Sequence, residues 1–154
     1  MSEGRYTVVV GVDGSTGSTR ALRWAAEETV LRGGVLHAVT AWLITNTPAI
    51  PEPSFGYVPS LEDVKRGAES RLDKALLAAD LPIGLEVTQA TPHGPSVREL
   101  LTAAEDADLL VLGSRGHGGF TGLLLGSVSS QCVHHAPCPV VVVPSGWKAQ
   151  AEPS

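Results

Sequence analysis

The chain has 154 residues, 43% of them hydrophobic, and a formal net charge of −5 at pH 7. This length favours one globular domain, and the acidic balance with scattered basic residues disfavours a nucleic-acid-binding or anionic-membrane-binding protein. No apolar run reaches the roughly 18 residues of a membrane span, and no secretory signal pattern opens the chain, so we expect a cytoplasmic protein.

The first part of the chain alternates apolar runs with helical periods. The β-branched run over residues 6–12 predicts a strand buried on both faces. Ser15 or Thr16 is a candidate cap for the helix whose apolar period covers residues 19–32. A second strand is predicted over residues 35–42.

A long connection and further alternating elements follow. Residues 43–59 contain four prolines and show no period, which is typical of a functional or mobile loop. The next predicted elements are a helix at 60–79, a strand near 85–90, a helix near 96–104, a strand at 109–112, a helix near 127–135 and a strand at 140–143.

This alternation predicts an α/β fold in which helices cover both faces of a parallel sheet. Ligands of such sheets bind beyond the carboxyl ends of the strands, where the strand order reverses. We expect one domain over residues 1–144, followed by a polar, frayed tail over residues 145–154.

The stretch GSRGHGGFTGLLLGS, residues 113–127, holds six glycines in fifteen residues between a predicted strand and a predicted helix. Glycines at Gly113 and Gly116 let the backbone turn sharply and let an anion approach its N–H groups. The first turn of the next helix, with the hydroxyls of Ser127 and Ser129, adds donors and a favourable dipole. The pattern favours a phosphate site over the alternative, a flexible linker ahead of a capped helix.

Neither of two common phosphate motifs fits this stretch. A Walker loop needs a lysine after the glycine, and none is near Gly126. The dinucleotide motif needs a third glycine where this chain has Thr121. Without the lysine, the loop favours holding a nucleotide over hydrolysing it.

The spacing Gly113-x2-Gly116-x9-Gly126-Ser127 resembles the nucleotide-binding motif of the universal stress protein family. The segments VVVGVDGS, LHAV and HAPCPVVVVP, at residues 8–15, 36–39 and 135–144, resemble the opening strand, second strand and closing segment of that family. The resemblance implies a five-stranded, Rossmann-like parallel sheet of the adenine nucleotide alpha hydrolase type. It also implies a homodimer formed through the last strand, Val140–Val143, and a regulatory or sensor role that depends on bound ATP, with or without Mg²⁺.

The resemblance also implies site residues. Asp13 would meet the ribose or the adenine side, the backbone near Ala38 would contact adenine, and Leu112 with Gly113 would line the ribose. The phosphates would be held by Gly116, Gly126, Ser127, Val128 and Ser129. We hypothesise that the nucleotide orders residues 113–126 and residues 43–59, so that occupancy is reported to a protein partner.

Several residues have two interpretations. Asp13 either contacts the ribose or a phosphate-bound Mg²⁺, or bonds the backbone of its own turn, and both can hold. Arg115 and His117 either pair with phosphates or are solvated. The segment from Cys132 to Cys138 contains two histidines, but its spacing does not match a structural zinc site, so we expect no metal site made by the protein alone.

Three alternatives to an ATP-dependent sensor stay open. In the first alternative, the protein is a slow Mg²⁺-dependent ATPase with Asp13 near the metal. In the second, it is a module that binds AMP or cyclic AMP. In the third alternative, the nucleotide only stabilises the fold.

Overall fold

The structure is a computed structural model that describes residues 4–43, 60–115 and 125–149. Its elements follow the predicted order of strands and helices. They are β1 (Thr7–Gly11), α1 (Thr16–Arg32), β2 (Val35–Val39), α2 (Leu61–Ala79), β3 (Val87–Ala90), α3 (Ser96–Ala104), β4 (Leu109–Gly113), α4 (Ser127–His135) and β5 (Val140–Val143).

The five strands form one parallel sheet in the order β3-β2-β1-β4-β5. Val10 of β1 lies opposite Ala38 of β2 on one side and Val111 of β4 on the other. The predicted fold class is therefore confirmed. The chain winds from β1 through β2 to β3 on one side and continues with β4 and β5 on the other, so the strand order reverses between β1 and β4. Ligands of open α/β sheets bind at this point.

Two hydrophobic clusters cover the two faces of the sheet. Side chains of α1 and α2 pack with Val8 and Val10 on one face, and side chains of α3 and α4 pack with Val9 on the other. These three valines are at most 1% exposed. Because successive side chains of a strand point to opposite faces, β1 is buried on both sides, as its continuous β-branched run predicted.

Two of the boundaries that differ from the prediction have an identifiable cause. Helix α1 begins at Thr16, three residues before its apolar period, because the Ser15 hydroxyl accepts a hydrogen bond from Ser18 N at 3.2 Å and caps the helix. Strand β2 ends at Val39 and not at Trp42. Pro92, in the segment that follows β3, has no N–H with which to continue the ladder.

The tail packs more closely than expected. Trp147 is half-buried against the cluster beneath α1 and α2, and its N–H donates to the carbonyl of Pro144 at 3.1 Å. The prediction of a frayed tail is therefore wrong at Trp147, and residues 150–154 lie outside the described part. In the described ranges, no helix combines the length and apolarity needed to cross a bilayer.

Candidate functional site

The carboxyl ends of β1 and β4 lie side by side, and helices α1 and α4 both start just beyond them. Asp13 follows β1, and Ser114 follows β4. Because the backbone N–H groups of a first helical turn carry partial positive charge, two helix starts at one edge favour an anionic ligand.

Asp13 organises the turn that leads into α1. Its half-buried carboxylate accepts hydrogen bonds at Oδ1 from the backbone N–H of Ser15, at 2.8 Å, and from the Ser15 hydroxyl. The backbone N–H of Asp13 donates to the hydroxyl of Ser18 at 3.3 Å. The turn role foreseen as one alternative for Asp13 is thus present, and contact with a ribose or a metal stays a prediction.

Two glycines let α1 approach the end of β4 more closely than side chains would allow. A Cβ on Gly113 would stand 2.8 Å from the carbonyl oxygen of Gly17. A Cβ on Gly17 would stand 2.8 Å from the carbonyl oxygen of Arg115. Both distances are shorter than real Cβ contacts, and both involve backbone atoms that side-chain rotation cannot move. Gly113 was predicted as a site residue, whereas Gly17 was not.

Ser114 joins three parts of the site and was missed by sequence reasoning. Its N–H donates to the carbonyl of Val143 at the end of β5, at 3.0 Å. Its carbonyl accepts from Gly126 N at 2.6 Å and from the hydroxyl of Ser129 at 3.0 Å. The only sequence signal was its place, directly after a buried strand and inside the glycine-rich stretch.

The N-terminus of α4 offers backbone donors. Its N-cap is Gly126, which makes no side-chain capping bond, and the first intrahelical bond runs from Ser130 N to Gly126 O at 3.0 Å. The N–H groups of Ser127, Val128 and Ser129 therefore have no partner inside the helix. Ser127 is exposed, whereas the buried Ser129 hydroxyl donates to backbone carbonyls, so a ligand would meet Ser129 first through its N–H.

The remaining predicted residues lie at different depths. Leu112 is 4% exposed and packs in the cluster beneath α3 and α4, and Ala38 is fully buried in β2 between β1 and β3. Arg115 is half-buried at the end of the described segment. Gly116 and His117 lie outside the described residues, as do residues 44–59 of the long loop, so their predicted roles are untested.

Beyond β2 and β3, Trp42 stacks on His93 with ring centroids 4.4 Å apart, and Trp42 Nε1 donates to Thr91 O at 2.7 Å.

His37 lies within β2 and shares a 2.6 Å hydrogen bond with Thr88. Burial lowers the pKa of His37 below its ordinary value of 6.5. His37 therefore has a packed, hydrogen-bonded role inside the strand.

The cysteine and histidine segment shows no metal geometry. Within the ranges the structure describes, no three His, Cys, Asp or Glu side chains come together as ligands. Cys132 is fully buried, and burial raises the pKa of both Cys132 and Cys138. Thiols with raised pKa values are poor metal ligands and poor nucleophiles at neutral pH.

Comparison with known proteins gives one family. The model described as the universal stress protein family matches residues 5–144. Universal stress protein Rv2005c of Mycobacterium tuberculosis is 36% identical over 140 residues, covering 88% of this chain and 44% of that protein. A universal stress protein of Mycolicibacterium smegmatis is 35% identical over 147 residues, covering 92% and 46%. The chain thus spans less than half the length of these curated relatives.

Solved structures give the same fold. Universal stress protein UspA from Lactobacillus plantarum is similar with a TM-score of 0.72 at 22% identity, over 90% of this chain and 97% of that one. A universal stress protein in complex with cAMP is similar with a TM-score of 0.58 at 29% identity, over 91% and 97%.

Proposed function

Because this chain belongs to the universal stress protein family, we propose that it binds an adenine nucleotide, ATP with Mg²⁺, at the carboxyl edge between β1 and β4. One observation carries the proposal. The N-terminus of α4 has no side-chain cap and starts at the same edge as the Asp13 turn. A site with backbone donors on one side and a carboxylate on the other suits a nucleotide, whose phosphates accept hydrogen bonds and whose ribose hydroxyls donate them.

The chain's own residues have distinct roles in this proposal. Backbone N–H groups of Ser127, Val128 and Ser129 bind phosphate oxygens, and Gly126 leaves room for them. Asp13 accepts from the ribose or holds a phosphate-bound Mg²⁺, which would neutralise part of the phosphate charge. Leu112 and Gly113 lie along the ribose. Arg115, Gly116 and His117 add phosphate contacts, and the backbone near Ala38 contacts adenine.

The biological role we infer is that of a sensor, with two copies pairing through β5. Two features of the described part of the chain support the pairing. Val140, Val141 and Val142 at this sheet edge are partly exposed, and β5 has a neighbour, β4, on one side alone. An open apolar edge strand is a template for pairing with another strand. The cytoplasmic location stays an expectation.

A cyclic nucleotide is the second candidate ligand. The observation that favours it is the universal stress protein in complex with cAMP, to which this chain is 29% identical. An α4 N-terminus with three N–H groups that have no partner inside the helix can bind one phosphate as well as three, so the geometry does not choose between cyclic AMP, AMP and ATP.

Isothermal titration of nucleotide-stripped protein with ATP, ADP, AMP and cyclic AMP, each with and without Mg²⁺, tests the proposal. We expect ATP to bind most tightly and affinity to fall as phosphates are removed. Tightest binding of cyclic AMP would assign the protein to second-messenger sensing. No binding of any of the four would overturn the proposal.

The variant Gly126→Val places a branched side chain beside the α4 N-terminus. Gly126 has φ −74° and ψ 172°, a conformation that valine adopts without strain. We therefore expect a large loss of ATP affinity with little loss of ligand-free stability, measured by titration and by thermal unfolding. Unchanged affinity would remove α4 from the site.

The sensor role needs its own tests. Light scattering coupled to size exclusion should give a dimer. Hydrogen exchange with and without ATP should show increased protection in the first turns of α1 and α4. Equal protection in both states would contradict a signalling role, even with ATP bound.

A further inference from the structure

The two ends of the glycine-rich stretch meet at one backbone carbonyl. The carbonyl oxygen of Ser114, directly after β4, accepts hydrogen bonds from Gly126 N at 2.6 Å and from Ser129 Oγ at 3.0 Å. Gly126 is the N-cap of α4, and Ser129 is the third residue of that helix. Because a carbonyl oxygen has two lone pairs, the two bonds use its full capacity, and the start of α4 is tied to the end of β4 at a single atom.

The Ser129 hydroxyl is fully committed as a donor. The residue is 4% exposed, and its hydroxyl lies 3.0 Å from Ser114 O and 3.2 Å from Gly126 O. A serine hydroxyl has one proton, so none is left for a phosphate oxygen. The backbone N–H of Ser129 belongs to the first turn of α4 and has no partner inside the helix. The side chain and the N–H of one residue therefore have separate uses.

Helix α1 shows the more usual way to hold a first turn. There the side chain of the N-cap, Ser15, accepts a hydrogen bond from Ser18 N at 3.2 Å, which covers that N–H. Gly126 has no side chain with which to do the same in α4. The first turn of α4 is held instead by the hydroxyl of Ser129, which donates toward β4 and covers none of the N–H groups.

We propose that Ser129 is a positioning residue of the nucleotide site, whose hydroxyl ties the first turn of α4 to Ser114 so that the α4 N–H groups face the phosphates. The inference rests on the proposed function. The apparent affinity for a ligand falls with the fraction of the protein that is in the binding-competent arrangement. Without the hydroxyl that fraction falls, because the Ser114 carbonyl keeps only the bond from Gly126 N.

The first measurement is ATP affinity by titration, beside the melting temperature of the nucleotide-free protein. Ser129→Ala should weaken ATP binding about tenfold, equivalent to about 1.4 kcal/mol, and lower the melting temperature by about 2–4 °C. Ser129→Thr keeps the hydroxyl and should retain the affinity of wild type. The matched control is Thr29→Val, which removes a buried hydroxyl that donates to Ala25 O at 2.6 Å within α1. It should lower the melting temperature similarly and leave ATP affinity unchanged.

The second measurement is amide hydrogen exchange, read by nuclear magnetic resonance of the nucleotide-free protein. Gly126 N donates to Ser114 O, whereas Ser130 N donates to Gly126 O within the helix, at 3.0 Å. In Ser129→Ala, the Gly126 amide should exchange about tenfold faster and the Ser130 amide should change less. A hydroxyl that only stabilised α4 would speed both amides alike. A hydroxyl that only contacted the ligand would change neither.

The outcomes separate this inference from the proposed function. If wild type binds no nucleotide, the proposed function fails and the positioning role fails with it. If wild type binds ATP and Ser129→Ala binds it equally well, the positioning role alone is overturned. It is also overturned if Ser129→Thr loses as much affinity as Ser129→Ala, since packing and not the hydroxyl then matters. Weakened ATP binding with an unchanged ratio of Gly126 to Ser130 exchange would contradict it too.

Discussion

Because α1 approaches the end of β4 closely, we predict that replacing glycine by alanine affects stability differently at two helical glycines. Gly17 lies in the first turn of α1, and Gly67 lies within α2. A Cβ on Gly17 would stand 2.8 Å from the Arg115 carbonyl oxygen. A Cβ on Gly67 would meet only the flexible end of Arg71, at 3.8 Å.

The magnitudes follow from two terms. Replacing glycine by alanine inside a helix gains about 1 kcal/mol of helix propensity, less in a first turn. Overpacking against a backbone atom costs about 1–3 kcal/mol. Gly67→Ala should therefore be stabilising by about 1 kcal/mol. Gly17→Ala should leave the free energy of unfolding unchanged or lower it by up to about 2 kcal/mol. The free energies of unfolding of the two variants should therefore differ by about 1–3 kcal/mol.

Thermal and urea unfolding of the two variants beside wild type measure this difference. For a chain of this size, 1 kcal/mol corresponds to about 2–4 °C in melting temperature. We also expect Gly17→Ala to weaken ATP binding, because relief of the clash moves α1 and the Asp13 turn away from β4. If Gly17→Ala is stabilised as much as Gly67→Ala, the close approach is absent in solution and this account of the site is wrong.

Three further predictions follow from caps and titrating groups. Ser15→Ala removes the α1 cap and should cost about 1 kcal/mol in urea unfolding, and no loss would mean that Asp13 holds the turn alone. Because the pKa of folded His37 lies below its ordinary value of 6.5, the unfolded chain binds more protons as the pH falls below about 6.5. Wild type should therefore lose more stability than His37→Gln between about pH 7.5 and pH 5, and parallel pH profiles would contradict this. An alkylating reagent at about pH 8 should modify half-buried Cys138 before fully buried Cys132, with equal rates in denaturant as the control, and faster labelling of Cys132 would contradict the buried cluster.

Sequence patterns predicted the elements well because most of their causes are local. The apolar run of β1, the helical period of α1 and the cap at Ser15 all act over a few neighbouring residues. The order of alternating elements then predicted a parallel sheet. The glycine-rich stretch located one side of the candidate site because it lies between a strand and a helix, which periodicity alone reveals.

The features that sequence reasoning missed depend on contacts distant in the chain. Gly17 matters because it meets Arg115, and Ser114 matters because it meets Val143 and Gly126. Neither partner can be identified before the strand order is known. The early end of β2 has the same kind of cause, since it depends on Pro92 lying opposite in the segment that follows β3.

The hydrogen bonds of Ser114 link the proposed nucleotide site to the strand proposed to form the dimer. A ligand at a hundredfold its dissociation constant adds about 2.7 kcal/mol to the folded state wherever it binds, so a rise in melting temperature cannot separate the two roles. Ser114, however, bonds the N-cap of α4 through its carbonyl and the end of β5 through its N–H. Phosphates bound at α4, as we propose, would therefore be one residue away from the strand proposed to form the dimer.

If this connection transmits a signal, the coupling must be reciprocal. ATP should change the dimer dissociation constant by the same factor by which dimerisation changes the affinity for ATP, since both factors measure one coupling free energy. Sedimentation with and without ATP gives the first factor, and titration at protein concentrations above and below the dimer dissociation constant gives the second. If the two factors are equal and differ from one, the nucleotide regulates assembly of the dimer. A dimer constant unchanged by ATP would leave the nucleotide as a stabiliser of the fold.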